Sequence, residues 1–191
     1  MGTNEKIDID TFKIVTRAIA ESSDLNIMVN HLTQLLTGTL GIKGCTLFVL
    51  NPDTQELELL ANFGLSLVYL NKGTLLSDKS IGSTLTGRAA VIRDTSKTDQ
   101  LQYPEDAQKE GIAAMVSIPI EFYGKTIGVL RLYHSEVWDI SETDLDSLKL
   151  LGKNIALAMM YTRLLNAIQD IKDSVYRLHP DLIPLFPERD E

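Results

Sequence analysis

Apolar positions along the chain follow two periods, and the places where one gives way to the other mark out its elements. Residues 7–21 carry Phe12, Val15 and Ile19 on one helical stripe. Ser22-Ser23-Asp24 supplies an N-cap, and behind it Leu25, Met28, Val29, Leu32, Leu35 and Leu36 recur at helical spacing. Gly41 and Gly44 break that pattern. "CTLFVLN" then reads as a strand, "PDTQ" as a turn with Pro52 preset for it, and "ELELLANFG" as the partner strand of a hairpin. Residues 65–88 are less regular and read as short helices between loops. "AAVIRD" is a short strand, and the polar stretch after it holds a helical turn beyond Pro104. "IAAMVSIPIEFYGKTIGVLRLYH" is the clearest hairpin, turning at Tyr123-Gly124. Pro119 inside its first strand predicts a bulge, or a position where the missing N–H has no partner.

A long helix follows. Ser141 and Asp144 make a capping box. Leu145, Leu148, Leu151, Ile155, Ala158 or Met159, Thr162, Leu165 and Ile168 recur near every 3.5 residues. The helix should run to about Arg177, a length of about 55 Å at 1.5 Å per residue. Pro180, Pro184 and Pro187 make residues 179–191 an extended tail.

Composition narrows the function classes. The chain has 191 residues, 44% of them hydrophobic, which suits one ordinary domain with added length. A net charge of −8 with no basic run argues against nucleic acid. No apolar segment reaches the ~18 residues of a membrane span. The start lacks the apolar core of a secretory signal, and Lys6 stands where a myristoylation pattern wants Ser or Thr. The expectation is a cytoplasmic protein with no membrane contact. Cys45 is the single cysteine, so an internal disulfide and a Cys-rich metal site are both excluded.

The order of elements, together with three stretches, resembles a GAF domain over about residues 10–170. The stretches are "TLFVLNPDTQELELLANFGL", "RAAVIRD" and "SIPIEFYGKTIGVLRLY", followed by "WDISETDLDSLKLLGKNIALAM" for a last helix. The resemblance implies an α+β sandwich with a central antiparallel sheet in the order 2-1-5-4-3. Terminal helices would cover one face, and irregular helical segments would close a pocket on the other. The implied division is an N-terminal helix over 1–22, a GAF-like domain over 23–160, an extension of the last helix over 161–178, and the tail over 179–191.

Members of this family sense or transmit, and some bind cyclic nucleotides, bilins, haem, or amino and oxo acids. One branch reduces free methionine-R-sulfoxide. That branch needs several cysteines, and a bilin needs a thiol beside the pocket. Cys45, alone inside a predicted strand, meets neither requirement. The cyclic-nucleotide signature is reduced here to Asn71-Lys72, which beside Gly73 reads as a turn. Haem would need an inward histidine; of His31, His134 and His179, only His134 falls near the expected pocket. No cofactor is assigned and no enzyme activity is expected.

Arg131 is the residue that asks for an explanation. It interrupts "KTIGVLRLYH", whose remaining core is apolar and aromatic. Strand alternation puts Leu130 and Leu132 on one face and Val129, Arg131 and Tyr133 on the other. A charge among helix stripes would be desolvated without a partner, so Arg131 should face away from them. There it can grip a carboxylate or phosphate. A structural ion pair with Asp94, Glu121 or another acid, with the arginine lying along the sheet surface, is the competing reading. Gly82-Ser83 opens a predicted helix whose N–H groups could assist an anion. Asp99, Glu105, Asp106 and Glu110 read as a solvated acidic loop.

These readings converge on a sensory or regulatory module with a pocket lined by Phe48, Ile81, Leu85, Val116, Ile118, Arg131 and Tyr133. It would signal through a homodimer of its terminal helices, with Phe12 and Ile19 of the first helix alongside, and a signalling protein is the further partner expected. The alternative is a ligand-free dimerisation or protein-interaction module whose pocket has collapsed.

Overall fold

The computed structural model describes residues 7, 9–21, 24–51, 53–54, 56–73 and 82–178. Two helices open it, α1 (Ile9–Ala20) and α2 (Leu25–Leu40). Asp24 caps α2 as its spacing suggests, Oδ1 accepting from the Ile27 N–H at 2.9 Å. A hairpin of β1 (Gly44–Leu50) and β2 (Leu57–Phe63) follows. Then come the short helices α3 (Leu67–Leu70) and α4 (Gly82–Leu85), β3 (Ala90–Ile92), a 3₁₀ turn over Thr95–Lys97 and α5 (Pro104–Glu110). The second hairpin is β4 (Ala114–Phe122) and β5 (Lys125–His134), and α6 (Glu142–Leu178) closes the chain.

The five strands are antiparallel neighbours in the order β2-β1-β5-β4-β3, as expected. The β4–β5 turn is Tyr123-Gly124, both with positive φ (47° and 71°). Glycine accepts that conformation without strain; tyrosine does not. Pro119 lies two positions beyond Ser117, where β3 stops pairing, so its ring stands past the last rung of that ladder. The irregularity in β4 falls between Ile120 and Glu121 rather than at Pro119.

One face of the sheet is covered by α1, α2 and α6. Cys45, Leu47, Val116, Ile118, Ile120, Leu130 and Leu132 meet Val29, Leu32 and Leu36 of α2 and Leu148, Leu151 and Ile155 of α6. Phe12, Val15 and Ile19 of α1 join this core, so the α1 stripe is satisfied within the subunit. Ser141 Oγ accepts from the Asp144 N–H at 3.0 Å, which is the forward half of the capping box. Asp144 Oδ1 accepts from the Ile7 N–H at 2.9 Å and so ties the chain's start to the start of α6.

Over its 37 residues α6 carries two apolar stripes, where the sequence suggests one. Leu148, Leu151, Ile155, Met159 and Thr162 are buried against the domain. Leu150, Leu157, Tyr161, Leu164, Ile168 and Ile171 are exposed. The predicted tail, residues 179–191, lies outside the described residues. Among the described residues no helix is long and apolar enough to cross a membrane.

Candidate functional site

The other face of the sheet carries a different chemistry. Cross-strand pairing sets Thr46 of β1 and Ser117 of β4 on either side of Arg131. Tyr133 lies two residues on, opposite Met115, and Val129 lies opposite Phe48. Arg131 is 2% exposed, and its Nε donates to Ser117 Oγ at 2.9 Å. The Tyr133 and Thr46 hydroxyls lie 3.1 Å apart. Burial pushes the Tyr133 hydroxyl up in pKa; the charge on Arg131 and hydrogen bonds from Thr46 and Arg131 pull against it.

The cover over this floor comes from the irregular segments. Tyr69 of α3 meets Tyr133 edge-to-face with ring centroids 5.9 Å apart. Three residues on, past the end of α3, Lys72 folds back over Tyr69. Its Nζ donates to the Tyr69 carbonyl at 2.9 Å and stands 3.5 Å above the Tyr69 ring and 6.0 Å from the Tyr103 ring. Gly73, with φ 129°, lets Tyr103 close in: a Cβ there would stand 2.6 Å from the Tyr103 hydroxyl. Leu85 of α4 and Tyr103 pack on the cluster of Phe48, Leu57 and Val129. Thr84 Oγ1 on α4 is buried with no hydrogen-bond partner among the described residues.

Two cations therefore share this face. Burial first, and then the charge of Arg131, lower the Lys72 ammonium to about 8, against the opposing pull of Asp106 and Glu110 of α5. Glu110 is held by α3: its carboxylate accepts from the Ser66 N–H at 3.0 Å and from the Ser66 hydroxyl at 2.5 Å. Burial works to raise the Glu110 carboxyl, but these bonds and the charges of Lys43 and Lys72 leave it net lowered. A cavity of about 390 Å³ opens beside Lys72, with Phe48, Leu57, Leu70 and Tyr133 in its walls. That volume lies within the range of small-ligand sites. Glu56 and Glu58 stand on its β2 rim, exposed to solvent, where salt screens them.

The predicted site residues divide on this geometry. Phe48, Leu85, Arg131 and Tyr133 share the far face, as expected. Val116 and Ile118 do not: they point into the helix-side core, and Met115 and Ser117 take the far face of β4 in their place. Ile81 lies outside the described residues. His134 is directed to the helix side, buried against Trp138 at 5.5 Å between ring centroids, with Nδ1 accepting from the Glu136 N–H. Cys45 is fully buried on that same side, and burial pushes its thiol far up. The Asp94 carboxylate is engaged by Ser96 and Lys97, which hold it down at about 2. The α4 helix has four residues, too few for a dipole-based anion site. Among the described residues no cluster of His, Cys, Asp and Glu could hold a metal ion.

Sequence reasoning missed Lys72, Tyr69, Tyr103, Thr46 and Ser117. Of these, Tyr69 and Lys72 had a visible signal, since they stand three residues apart across the end of a short helix.

Comparison with known proteins agrees with this fold. The family model for the GAF domain matches residues 22–160. A comparison with curated proteins finds no match. Among solved structures, the GAF domain of a phosphoenolpyruvate-protein phosphotransferase from Coxiella burnetii superposes with a TM-score of 0.72 at 18% identity. It covers 86% of this chain and 99% of that one. The GAF domain of the Acinetobacter phosphoenolpyruvate-protein phosphotransferase gives 0.70 at 15%, over 87% and 99%. Free methionine-R-sulfoxide reductase from Neisseria meningitidis, in complex with its substrate, gives 0.68 at 15%, over 83% and 95%. At these identities the likeness is one of fold.

Proposed function

The chain belongs to the GAF domain family, whose members are generally signalling and sensory modules, and on that footing we propose that it binds a small anionic ligand on the far face of its sheet and transmits the bound state through a homodimer of its terminal helices. One observation carries this reading: Lys72 and Tyr133 line a ligand-sized cavity, and the buried Arg131 lies two residues from Tyr133 on the same face of β5, close enough for its charge to act on Lys72. Burial lowers Lys72 first and the charge of Arg131 adds to it, and an anion bound near both would relieve that cost. A carboxylate or phosphate suits the guanidinium, and an apolar or aromatic body suits Phe48, Leu57 and the tyrosines. The proposal includes no catalysis. Cys45, the one thiol, is buried on the opposite face with its reactivity suppressed.

A second reading has its own support. The Arg131 Nε is satisfied by Ser117, and Tyr69 packs on Tyr133, so side chains already fill the floor directly above the sheet. In that reading the module only dimerises. Thermal-shift screening with small mono- and dicarboxylates, inorganic phosphate and nucleotides separates the two. The first expects a stabilising hit that Arg131→Met and Lys72→Met each weaken at least tenfold. A hit that survives both substitutions removes the cations from the site, and no hit at millimolar concentration favours the dimer-only module.

A further inference from the structure

Lys72 is a half-buried lysine held without a carboxylate. Lys13, Lys97 and Lys149 each stand 2.8–2.9 Å from one, and Lys43 faces Glu110 at 3.9 Å. An opposite charge at that range favours the ammonium. Among the described residues Lys72 has no such partner within ion-pair distance. Its Nζ donates to the Tyr69 carbonyl instead, a bond that an uncharged amine also makes. The Nζ is thus fixed in the wall of the 390 Å³ cavity, among Phe48, Leu57, Leu70 and Tyr133.

Desolvation and a neighbouring cation are the two means by which a protein turns a lysine into a nucleophile. Both act here, burial first and the charge of Arg131 second. With the ammonium at about 8, roughly a tenth of the chains carry the free amine at pH 7, against under about a thousandth for an ordinary lysine. Hydroxyl donors frame the same place. The Tyr103 hydroxyl stands so close to Gly73, the next residue, that a Cβ there would meet it at 2.6 Å. Tyr133 lines the cavity, and burial raises its hydroxyl, so it keeps the proton that a carbonyl oxygen accepts.

Resting on the anion site above and adding a reacting group to it, we propose that Lys72 captures the ligand covalently, its amine condensing to a reversible imine with a small aldehyde or ketone whose carboxylate or phosphate is held near Arg131. The amine lone pair adds to the carbonyl carbon, the π pair moves onto oxygen, and a proton passes from nitrogen to that oxygen. The hydroxyl of this carbinolamine then leaves as water, taking a second proton, while the nitrogen lone pair closes the C=N bond. No electrons are gained or lost. Protonated from solvent, the imine is again a cation, so the anion keeps both positive neighbours. The groups facing Lys72 are Arg131 of β5, Tyr69 of α3, Tyr103, Asp106 and Glu110 of α5, Tyr133, and Glu56 and Glu58 on the β2 rim. Glu110 is moved downwards and Tyr69 and Tyr133 upwards, so these three do not titrate with it.

Sodium borohydride fixes an imine as a secondary amine and reads the proposal in the full, unsubstituted chain. Glyoxylate and pyruvate supply the carboxylate and glycolaldehyde phosphate the phosphate. Glycolate, lactate and inorganic phosphate lack the carbonyl. Peptide mapping after reduction should place the adduct at Lys72 at least tenfold above any other lysine. Its yield should be half-maximal near pH 8 and then level off, whereas an exposed lysine keeps rising towards about pH 10.4. Lys72→Arg keeps the cation and should lose the adduct while retaining a thermal shift with lactate or phosphate. Arg131→Met keeps the lysine and should lower the yield about tenfold; an unchanged yield overturns the anionic anchor. No adduct at Lys72 with any of the three carbonyl probes overturns the imine, as does labelling spread evenly over the surface lysines. A lactate or phosphate shift that persists in that case leaves the anion site standing without the imine, and its absence removes both.

Discussion

The two faces of the sheet are built from the same strands by opposite rules. The helix face is a continuous apolar core in which Leu130, Leu132, Val116 and Ile118 are fully or almost fully buried against long helices. The far face has equally buried positions, but they hold Arg131, Ser117, Thr46 and the Tyr133 hydroxyl, under helices of four to seven residues. Burial that contributes stability on one side costs desolvation on the other. A fold does not assemble a buried guanidinium, a depressed lysine and three tyrosines to gain stability; apolar side chains of the same volume do that better. The difference separates the face that holds the fold from the face available for recognition.

The comparison is broken most sharply by cavity formation on the helix face. Leu132→Ala should cost about 2–5 kcal/mol, measured by urea denaturation, because Leu132 is wholly buried among helix side chains that cannot collapse onto the gap. A cost below about 1 kcal/mol would mean that this face is not the structural one.

Arg131→Met, one residue away on the same strand, should change stability by no more than about 1.5 kcal/mol in either direction. It removes the hydrogen bonds to the Ser117 and Tyr133 hydroxyls but also a charge from a desolvated place. A loss as large as that of Leu132→Ala would show that Arg131 anchors a structural charge network, and the far face would then be a second core.

The contrast between neighbours on β5 was legible from alternation alone, because Leu130 and Leu132 differ so plainly from Arg131 and Tyr133. The same reasoning failed on β4, whose run "AMVSIPI" is apolar in both phases. Only Ser117 marks the far face there, and the phase is set by its pairing with Arg131 across the sheet, which no local pattern reports. The hairpin turn and the length of α6 were legible because each rests on local period or turn chemistry, whereas the strand order came from the resemblance to the family and not from any local pattern. The two stripes of α6 were not separated, since its domain-facing and exposed apolar residues merge into one near-3.5 period on a sequence plot. Lys72 was read as part of a solvated turn beside Gly73. Its inward fold depends on the Tyr69 carbonyl and on the Tyr103 ring from a distant segment. The acids Asp106 and Glu110 read as a solvated face, yet both act on Lys72 in the folded chain.

The smallest effect on stability should come from Lys72, and its sign identifies the cause. The ammonium is lowered from 10.5 to about 8 in the folded chain, first by burial and then by Arg131. The unfolded chain therefore holds the proton more tightly, and stability rises with pH only between about 8 and 10.5. Below about 8 both states carry the proton and the cost of burying it is constant. Lys72→Met removes that cost. At pH near 7 the variant should be equal to or slightly more stable than the parent, by under about 1 kcal/mol since the group is partly solvated. The difference should shrink as pH climbs from about 8 towards 10.5. The other charges facing Lys72 do not confuse the reading. The shifted groups beside it move away from this window, the Glu110 carboxyl downwards and the Tyr69 and Tyr133 hydroxyls upwards. Anion affinity should follow the same proton, falling by up to about tenfold per pH unit above 8 in the parent and staying flat in Lys72→Met. Paired denaturation and binding curves at pH near 7 and near 9.5 check both. A stability difference that widens with pH, or an anion affinity equally pH-dependent without Lys72, would show that this ammonium is solvated and the far face no more charged than an ordinary surface.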